Sequence, residues 1–546
     1  MSAKRICLKS LVRFGLLGIL ALIVVFVYFT GISARLWNCH LQARERVIPF
    51  LKGAKLDQEN QQENTTISNF NDDDLLIRLM QNSKMLEELF FYHLKNPKIE
   101  LEERDLFKQL GLQLQQTIRV ARMLYSDIEK LYSNAFREKQ QELEKLNALA
   151  FSFISNSQNP SNCSSAKKLF CNVKHHCGLG CMMHHYSLCL FIALGTNRVM
   201  IWDLNQVTEY PGLQDAIKSP SHCQSSKEEL ASAPEWRSPQ ETEPTPSDAP
   251  IVKVTGYKNS VFAPNTVPSQ FLPRIELVLA DPLTWWTGQV MNYLFRLKES
   301  MSKEVEDFKT KTGFGHPIVG IHVRRTDKIK EANYQDLNSY MEYAINWYDQ
   351  YVIRHGNVRR KIYLASDDPA IMEEAKSKYT NYQFIFGESA CSDVYSRFTK
   401  NGLFGIVKDI FLLRGCDYVV LTMSSNIGRM IQEMRQTSLQ DATFHFANLD
   451  YSYHANGGRD IVHEVLLYHN PLVHCDRKAR RHTDGSCELT MKVGDRITNY
   501  PMMKRGTMLG GFNQRTNQVG MYPAFKVKTI LVPESYPISM VENDVF

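Results

Sequence analysis

Between residues 317 and 423 four short apolar runs recur: 317–323 (PIVGIHV), 361–365 (KIYLA), 383–386 (QFIF) and 417–423 (DYVVLTM). Runs of this length, rich in β-branched and aromatic residues and without polar alternation, are strands buried on both faces. The stretches between and after them, at about 336–353, 369–379, 401–414 and 426–437, carry helical spacing and supply the crossovers. Strand and helix alternating in this way predict an α/β fold with a Rossmann-like, doubly wound parallel sheet. Such sheets bind ligands in the crevice beyond the carboxyl ends of their strands, so the residues after each run are the first place to look for chemistry.

Those residues are polar and charged. His322, Arg324, Arg325, Thr326, Asp327 and Lys328 end the first strand, Asp367 and Asp368 the second, and Ser424 and Ser425 the fourth. Two neighbouring guanidiniums offer forked donors that match a phosphate. The bland alternative for Asp368 and Ser425 is helix capping, and a helix N-terminus is itself a phosphate site. Several other chemistries are absent from the sequence. There is no Walker A loop, no GxGxxG after a strand, no HExxH and no nucleophile elbow. An Asp-x-Asp motif for a nucleotide-bound metal is also missing from this half, so arginine rather than a divalent ion would balance a departing diphosphate.

The N-terminus sets the compartment. Residues 14–32 are uncharged and follow Lys4, Arg5, Lys9 and Arg13. That is close to the ~20 residues a helix needs to cross a bilayer, with the positive flank kept in the cytosol. The chain is expected to be a single-pass type II membrane protein, with a cytoplasmic tail (1–13), a signal anchor (14–32) and a stem (33–71). With 64 basic and 58 acidic residues the formal charge is +6, too dilute for a nucleic-acid binder. In residues 72–155, Leu114, Ile118, Ala121, Tyr125 and Ile128 alternate steps of four and three, the seam of a coiled coil. A seam requires a partner, which predicts a helical hairpin or a dimerising stalk.

Six of the twelve cysteines (Cys163, Cys171, Cys177, Cys181, Cys189, Cys223) lie within about sixty residues, as in a disulfide-tied segment of an oxidising lumen. Cys177 and Cys181 beside His175, His176, His184 and His185 leave zinc open as an alternative. The segment 160–315 is expected to form an open α/β subdomain with a mobile, proline-rich insert at 219–250, followed by the Rossmann-like subdomain at 316–470. Trp285 and Trp286 are expected to pack a helix. Closely spaced strand and turn signals at 485–530 predict a small β-barrel.

Taken together, GIHVRRTDK (320–328), YLASDDP (363–369) and the spaced cysteines of 163–189 resemble the α1,6-fucosyltransferases that core-fucosylate N-glycans. The helical stalk before these motifs and the barrel after them fit the same family, whose barrel is SH3-like. The resemblance implies a GT-B-like enzyme of the Golgi membrane, homodimeric through its stalk. It would transfer fucose with inversion from GDP-β-L-fucose to O6 of the Asn-linked GlcNAc of a glycoprotein, with no cofactor and no metal. By matching positions, Arg324 would hold the β-phosphate and Arg325 brace the site. Asp409 would accept from guanine near the His322 backbone, and Arg397, Ser425 and Tyr210 would line the nucleotide. Glu331 would be the general base with Lys328 beside it, while Asp327, Tyr340, Asp367 and Asp368 would support the site or meet the acceptor. The implied disulfides are Cys163 with Cys223, Cys171 with Cys189, and Cys177 with Cys181.

The chain departs from the family in places. The loop between Lys328 and Glu331 is one residue short, and the cysteine pair expected around the last strand end stands as Leu421 and Gly428. Cys391, Cys416, Cys475 and Cys487 are additional. A transferase with a different acceptor and an inactive glycan-binding scaffold are the competing functions, and retention of Arg324, Arg325, Lys328, Glu331, Asp409 and Ser425 argues against the second.

Overall fold

A computed structural model describes residues 133–537 apart from 174–176, 205–206, 208, 239–244, 247, 257–259, 263, 280–281, 327, 329–330, 389–395, 439–441, 443–444, 456–458, 472–473 and 476–486. The anchor run, the stem, the coiled-coil seam, Asp327 and Cys391 lie outside the described residues. Among the described residues, no helix is long and apolar enough to cross a membrane.

The first α/β unit is built from helix α1 (Ser133–Gln158), strand β1 (Lys168–Cys171), helix α2 (Leu179–Gly195), and strands β2 (Val199–Ile201) and β3 (Ile251–Val254). Its three strands are parallel, in the order β2-β1-β3. Helix α3 (Leu283–Leu294) is buried on almost every side and carries Trp285 and Trp286 into the centre, where Trp286 donates to the Tyr536 hydroxyl at 3.3 Å.

The second unit runs through β4 (Ile318–Val323), α4 (Leu337–His355), β5 (Lys361–Ser366), α5 (Ile371–Lys378), β6 (Gln383–Phe386), α6 (Lys400–Arg414), β7 (Tyr418–Leu421), α7 (Asn426–Arg435) and β8 (Phe446–Asn448). All five strands are parallel, in the order β6-β5-β4-β7-β8. Every residue of β4 is buried, as the unbroken apolar run requires when helices cover both faces. The chain leaves β4 toward β5 and β6 on one side and returns to β7 and β8 on the other, so the strand order reverses between β4 and β7. The crevice at that reversal is where a doubly wound sheet binds its ligand.

A buried polar knot joins the two units. Glu433 on α7 is fully buried; its carboxylate meets His184 Nε2 of α2 at 3.2 Å and accepts from the Tyr453 hydroxyl at 2.8 Å. Those partners hold its pKa below the usual carboxylate range, although burial alone would raise it.

Three expectations are corrected. The last part of the 72–155 stalk is not a free coiled coil. Helix α1 buries Leu143, Leu146, Ala150 and Ile154 against the catalytic body, and its Glu142 pairs with Arg274 at 2.6 Å. An apolar stripe needs a covering surface, and here the body supplies one. The insert is tied down over residues 219–238. Cys223 is bonded to Cys163, a short helix Lys227–Ser232 opens on a Ser226/Glu229 capping box, Trp236 is buried, and the Pro220 carbonyl accepts from Tyr293. Finally, the C-terminal sheet begins before residue 485. Strand β9 (Val462–Val465) sits between β10 (Arg496–Arg505) and β13 (Val527–Thr529), and β11 (Met508–Asn513) and β12 (Gln518–Pro523) complete an antiparallel sheet in the order β12-β11-β10-β9-β13. Val465, Leu489, Met491, Ile497 and Tyr522 form its own core, and Cys475 is bonded to Cys487 beside it.

Candidate active site

The pairing register brings the strand ends together: Val323 lies opposite Ser366 and Ile321 opposite Val420. Residues 324, 367 and 422 onward therefore emerge at one rim.

Asp367 organises that rim. One carboxylate oxygen accepts from the Arg325 backbone N–H at 2.8 Å. The other accepts from the Thr326 backbone N–H at 3.2 Å, from the Thr326 hydroxyl and from the Arg324 guanidinium. Arg324 keeps part of its surface open to the crevice. Arg325 does not: its side chain is buried, paired with Glu374 of α5 at 2.8 Å and Asp368 at 3.5 Å, under the Tyr334 ring. The idea of two guanidiniums forking onto one phosphate is thereby corrected. Consecutive residues at a strand end point to opposite sides, so only Arg324 faces the crevice while Arg325 fastens the loop to α5. Asp368 also accepts from the Ala370 backbone N–H at 3.0 Å, opening the turn into α5.

A second carboxylate mirrors the first. Asp450, just past β8, accepts from the backbone N–H groups of Met423 at 2.7 Å and Ser424 at 3.1 Å, and so shapes the loop after β7. Ser425 then caps α7, its hydroxyl accepting from the Gly428 N–H at 3.5 Å. A side chain at 428 would run into the Thr422 carbonyl, so the cysteine of the family pattern could not be accommodated beside this loop. Tyr340, buried on α4, lies near Asp450, Arg325 and Thr422, and burial raises its pKa.

Asp409 of α6 is buried, accepts from the Tyr363 hydroxyl of β5, and lies directly behind Gly387. A Cβ at 387 would meet both the Asp409 carboxylate and the Tyr363 hydroxyl, so the chain passes here only because the residue is glycine. His322 is buried beside Arg324, and among the described residues its Nδ1 has no hydrogen-bond partner. Burial and the Arg324 charge push its pKa down to about 3, which keeps the ring neutral. Across the crevice, the Tyr210 ring lies tilted against Phe398 at 5.7 Å between centroids and its hydroxyl donates to the Cys177 carbonyl at 3.3 Å. Burial pushes the Tyr210 pKa up to about 12, opposed by the nearby charges of Arg397 and Arg324. Tyr210, Arg397 and Arg324, distant in sequence, thus share one neighbourhood.

Glu331 stands at the outer edge, mostly exposed, in an ion pair with Lys328. Its backbone carbonyl accepts from the Tyr451 hydroxyl at 2.7 Å, which ties the loop to the segment after β8. Below the crevice, Cys177 is bonded to Cys181 and Cys171 to Cys189. His185 lies 4.0 Å from the Cys181 sulfur, but the sulfurs a zinc ion would need are bonded to one another.

Asp450, Gly387, Tyr363, Glu374 and Tyr451 escaped the reading of the sequence. Only Asp450 carried a usable signal, an acid at the end of a three-residue strand too short to stand out.

Comparison with known proteins gives consistent results. Residues 40–454 match the family model described as alpha-(1,6)-fucosyltransferase N- and catalytic domains. An alpha-(1,6)-fucosyltransferase of Drosophila melanogaster is 32% identical over 431 residues, 78% of this chain and 67% of the relative. One of Caenorhabditis elegans is 30% identical over 425 residues, 74% of this chain and 71% of the relative. Among solved structures, an Arabidopsis thaliana FUT1 mutant in complex with GDP aligns over 58% of this chain and 79% of its own, with 13% identity and a TM-score of 0.34, a likeness too slight to bear on the fold.

Proposed function

The chain belongs to the alpha-(1,6)-fucosyltransferase family, and on that premise we propose that it moves fucose from GDP-β-L-fucose to O6 of the Asn-linked GlcNAc of N-glycans, with inversion at the anomeric carbon. The observation that carries the reading is that Arg324, after β4, and Ser425, after β7, flank the crevice where the strand order reverses, with Tyr210 and Arg397 near Arg324.

In this reading Arg324 contacts the β-phosphate. Its guanidinium is held in place by Asp367 before substrate arrives, so little reorganisation accompanies the developing charge. Ser425 and the N-terminus of α7 add donors to the diphosphate. Asp409, fixed by Tyr363, accepts from guanine, and Tyr210 closes the nucleotide from the first unit with Arg397 near it. Glu331 takes the proton from the acceptor O6 as that oxygen bonds to the fucose C1. The bond from C1 to the phosphate oxygen breaks on the opposite face, and GDP leaves with the electron pair. Positioned proton transfer of this kind is worth roughly 10²–10⁴-fold in rate. Lys328, in an ion pair with Glu331, stands beside the base to hold or relay charge.

The rim carboxylates support a reaction without a metal, because Asp367 is occupied by Arg324 and the loop N–H groups, and Asp368 and Glu374 by Arg325. We further infer a GT-B-like pairing of the two α/β units, an SH3-like character for the C-terminal sheet, dimerisation through the stalk, and a type II Golgi membrane placement through residues 14–32. Incubation of the purified chain with GDP-fucose and an N-glycan whose arm ends in GlcNAc tests the function. Transfer to O6 of the innermost GlcNAc is expected, and a chain that neither binds nor consumes GDP-fucose refutes it.

A further inference from the structure

A cavity of about 680 Å³ lies at the far end of the helices that serve the crevice, where α3, α6 and α7 all finish. Helix α7 is ten residues long, so the cavity is about 15 Å from Ser425 along that helix. Its lining carries four cations, Lys218, Arg296, Lys309 and Arg414, against the single acid Glu306. Two of the four are engaged: Lys309 pairs with Glu306 at 2.7 Å, and Arg296 lies on the Tyr293 ring and donates to the Ser219 carbonyl at 3.1 Å.

Lys218 and Arg414 differ. Among the described residues, neither side chain has a carboxylate within ion-pair distance. Among the described residues the partly buried Arg414 guanidinium has the Phe411 ring 5.9 Å away, and desolvation lowers its pKa. A partly desolvated guanidinium is costly without a counter-charge and calls for one. The three helix C-termini supply part of one, at about half a negative charge each. With Glu306 counted, a positive surplus of about one to two charges remains, close to the charge of one phosphate or sulfate ester. The cavity is far larger than one oxyanion, and Phe151, Phe295 and Phe411 line it, the last two stacked at 5.8 Å.

We propose that this cavity is a second ligand site, separate from the donor crevice, for a phosphate or sulfate ester carried on a sugar-sized ring, with Arg414 and Lys218 gripping the oxyanion and the phenylalanines covering the ring. The test is calorimetric titration of the full chain, its donor site saturated with GDP, using glucose 6-phosphate, glucose 6-sulfate and inorganic sulfate. One saturable site for an ester is expected, weakened by salt, and the tighter of the two esters identifies the oxyanion. Arg414→Gln should weaken it about 10–100-fold, the loss of one charged hydrogen bond, with GDP affinity unchanged. Lys218 is exposed, so Lys218→Gln keeps the fold and should also weaken the ester severalfold. The proposal is overturned by no saturable ester binding at millimolar concentration, by unchanged affinity in both variants, or by inorganic sulfate binding as tightly as the esters.

Discussion

Replacing Asp367 with asparagine isolates the device that aims Arg324. The aspartate has one oxygen on the Arg325 N–H and the other on the Thr326 N–H, the Thr326 hydroxyl and the Arg324 guanidinium. Every partner is a donor. An asparagine of the same shape must turn its NH₂ toward one of these donor sets, so either the Arg325 N–H or the Arg324 and Thr326 group loses its acceptor. Both Asp367 and Arg324 are mostly buried, with side chains 14% and 19% exposed, so the lost charged hydrogen bond is worth about 1.5–3 kcal/mol. That loss appears as lower resistance to urea. The larger effect is on catalysis, because displacing the guanidinium by about an ångström costs on the order of 10²-fold in rate. Steady-state fucose transfer, alongside calorimetric binding of GDP, should show kcat/KM reduced about 100-fold with a folded protein that still binds guanine nucleotide. A variant with normal kcat/KM and normal GDP affinity would refute the idea that Asp367 positions Arg324.

Two further predictions follow from the same geometry. Gly387→Ala puts a methyl against Asp409 and the Tyr363 hydroxyl, so GDP affinity should fall at least tenfold while the circular dichroism spectrum is retained; unchanged affinity would remove Asp409 from the guanine pocket. His322, His454 and His463 are held neutral by burial, their pKa values pushed down to about 3, 4 and 4. Below pH ~6.5 the unfolded chain binds protons that the native histidines refuse, so stability should fall with decreasing pH from ~6.5 toward ~4, by up to about 1.4 kcal/mol per pH unit per histidine. Urea midpoints between pH 7 and 5 measure this, and a flat profile that His322→Gln leaves unaltered would contradict it.

The doubly wound half was legible because its signals are local. The run 317–323 becomes β4 (Ile318–Val323), since burial on both faces leaves it almost wholly apolar, and 426–437 becomes α7 (Asn426–Arg435) on its helical spacing. Strand β8 was missed because three residues carry no period at all, and Asp450 was missed with it. The site residues at strand ends followed from the fold, but their division of labour did not. That Arg324 faces the crevice while Arg325 is taken by Glu374 depends on α5, which sits about fifty residues away in sequence. The stripe on α1 fell within the helical reading of 72–155 without being singled out, and its partner was not legible, because a hydrophobic face specifies burial without saying against what. Gly387 is similar: the reason for a glycine lies in Asp409 and Tyr363, neither of them a chain neighbour.

A crystal structure of the chain with GDP tests the central claim most directly. The account predicts β-phosphate oxygens about 2.7–2.9 Å from the Arg324 guanidinium, between the ends of β4 and β7, with guanine against Asp409. GDP bound elsewhere, or a diphosphate that Arg324 does not touch, would contradict it.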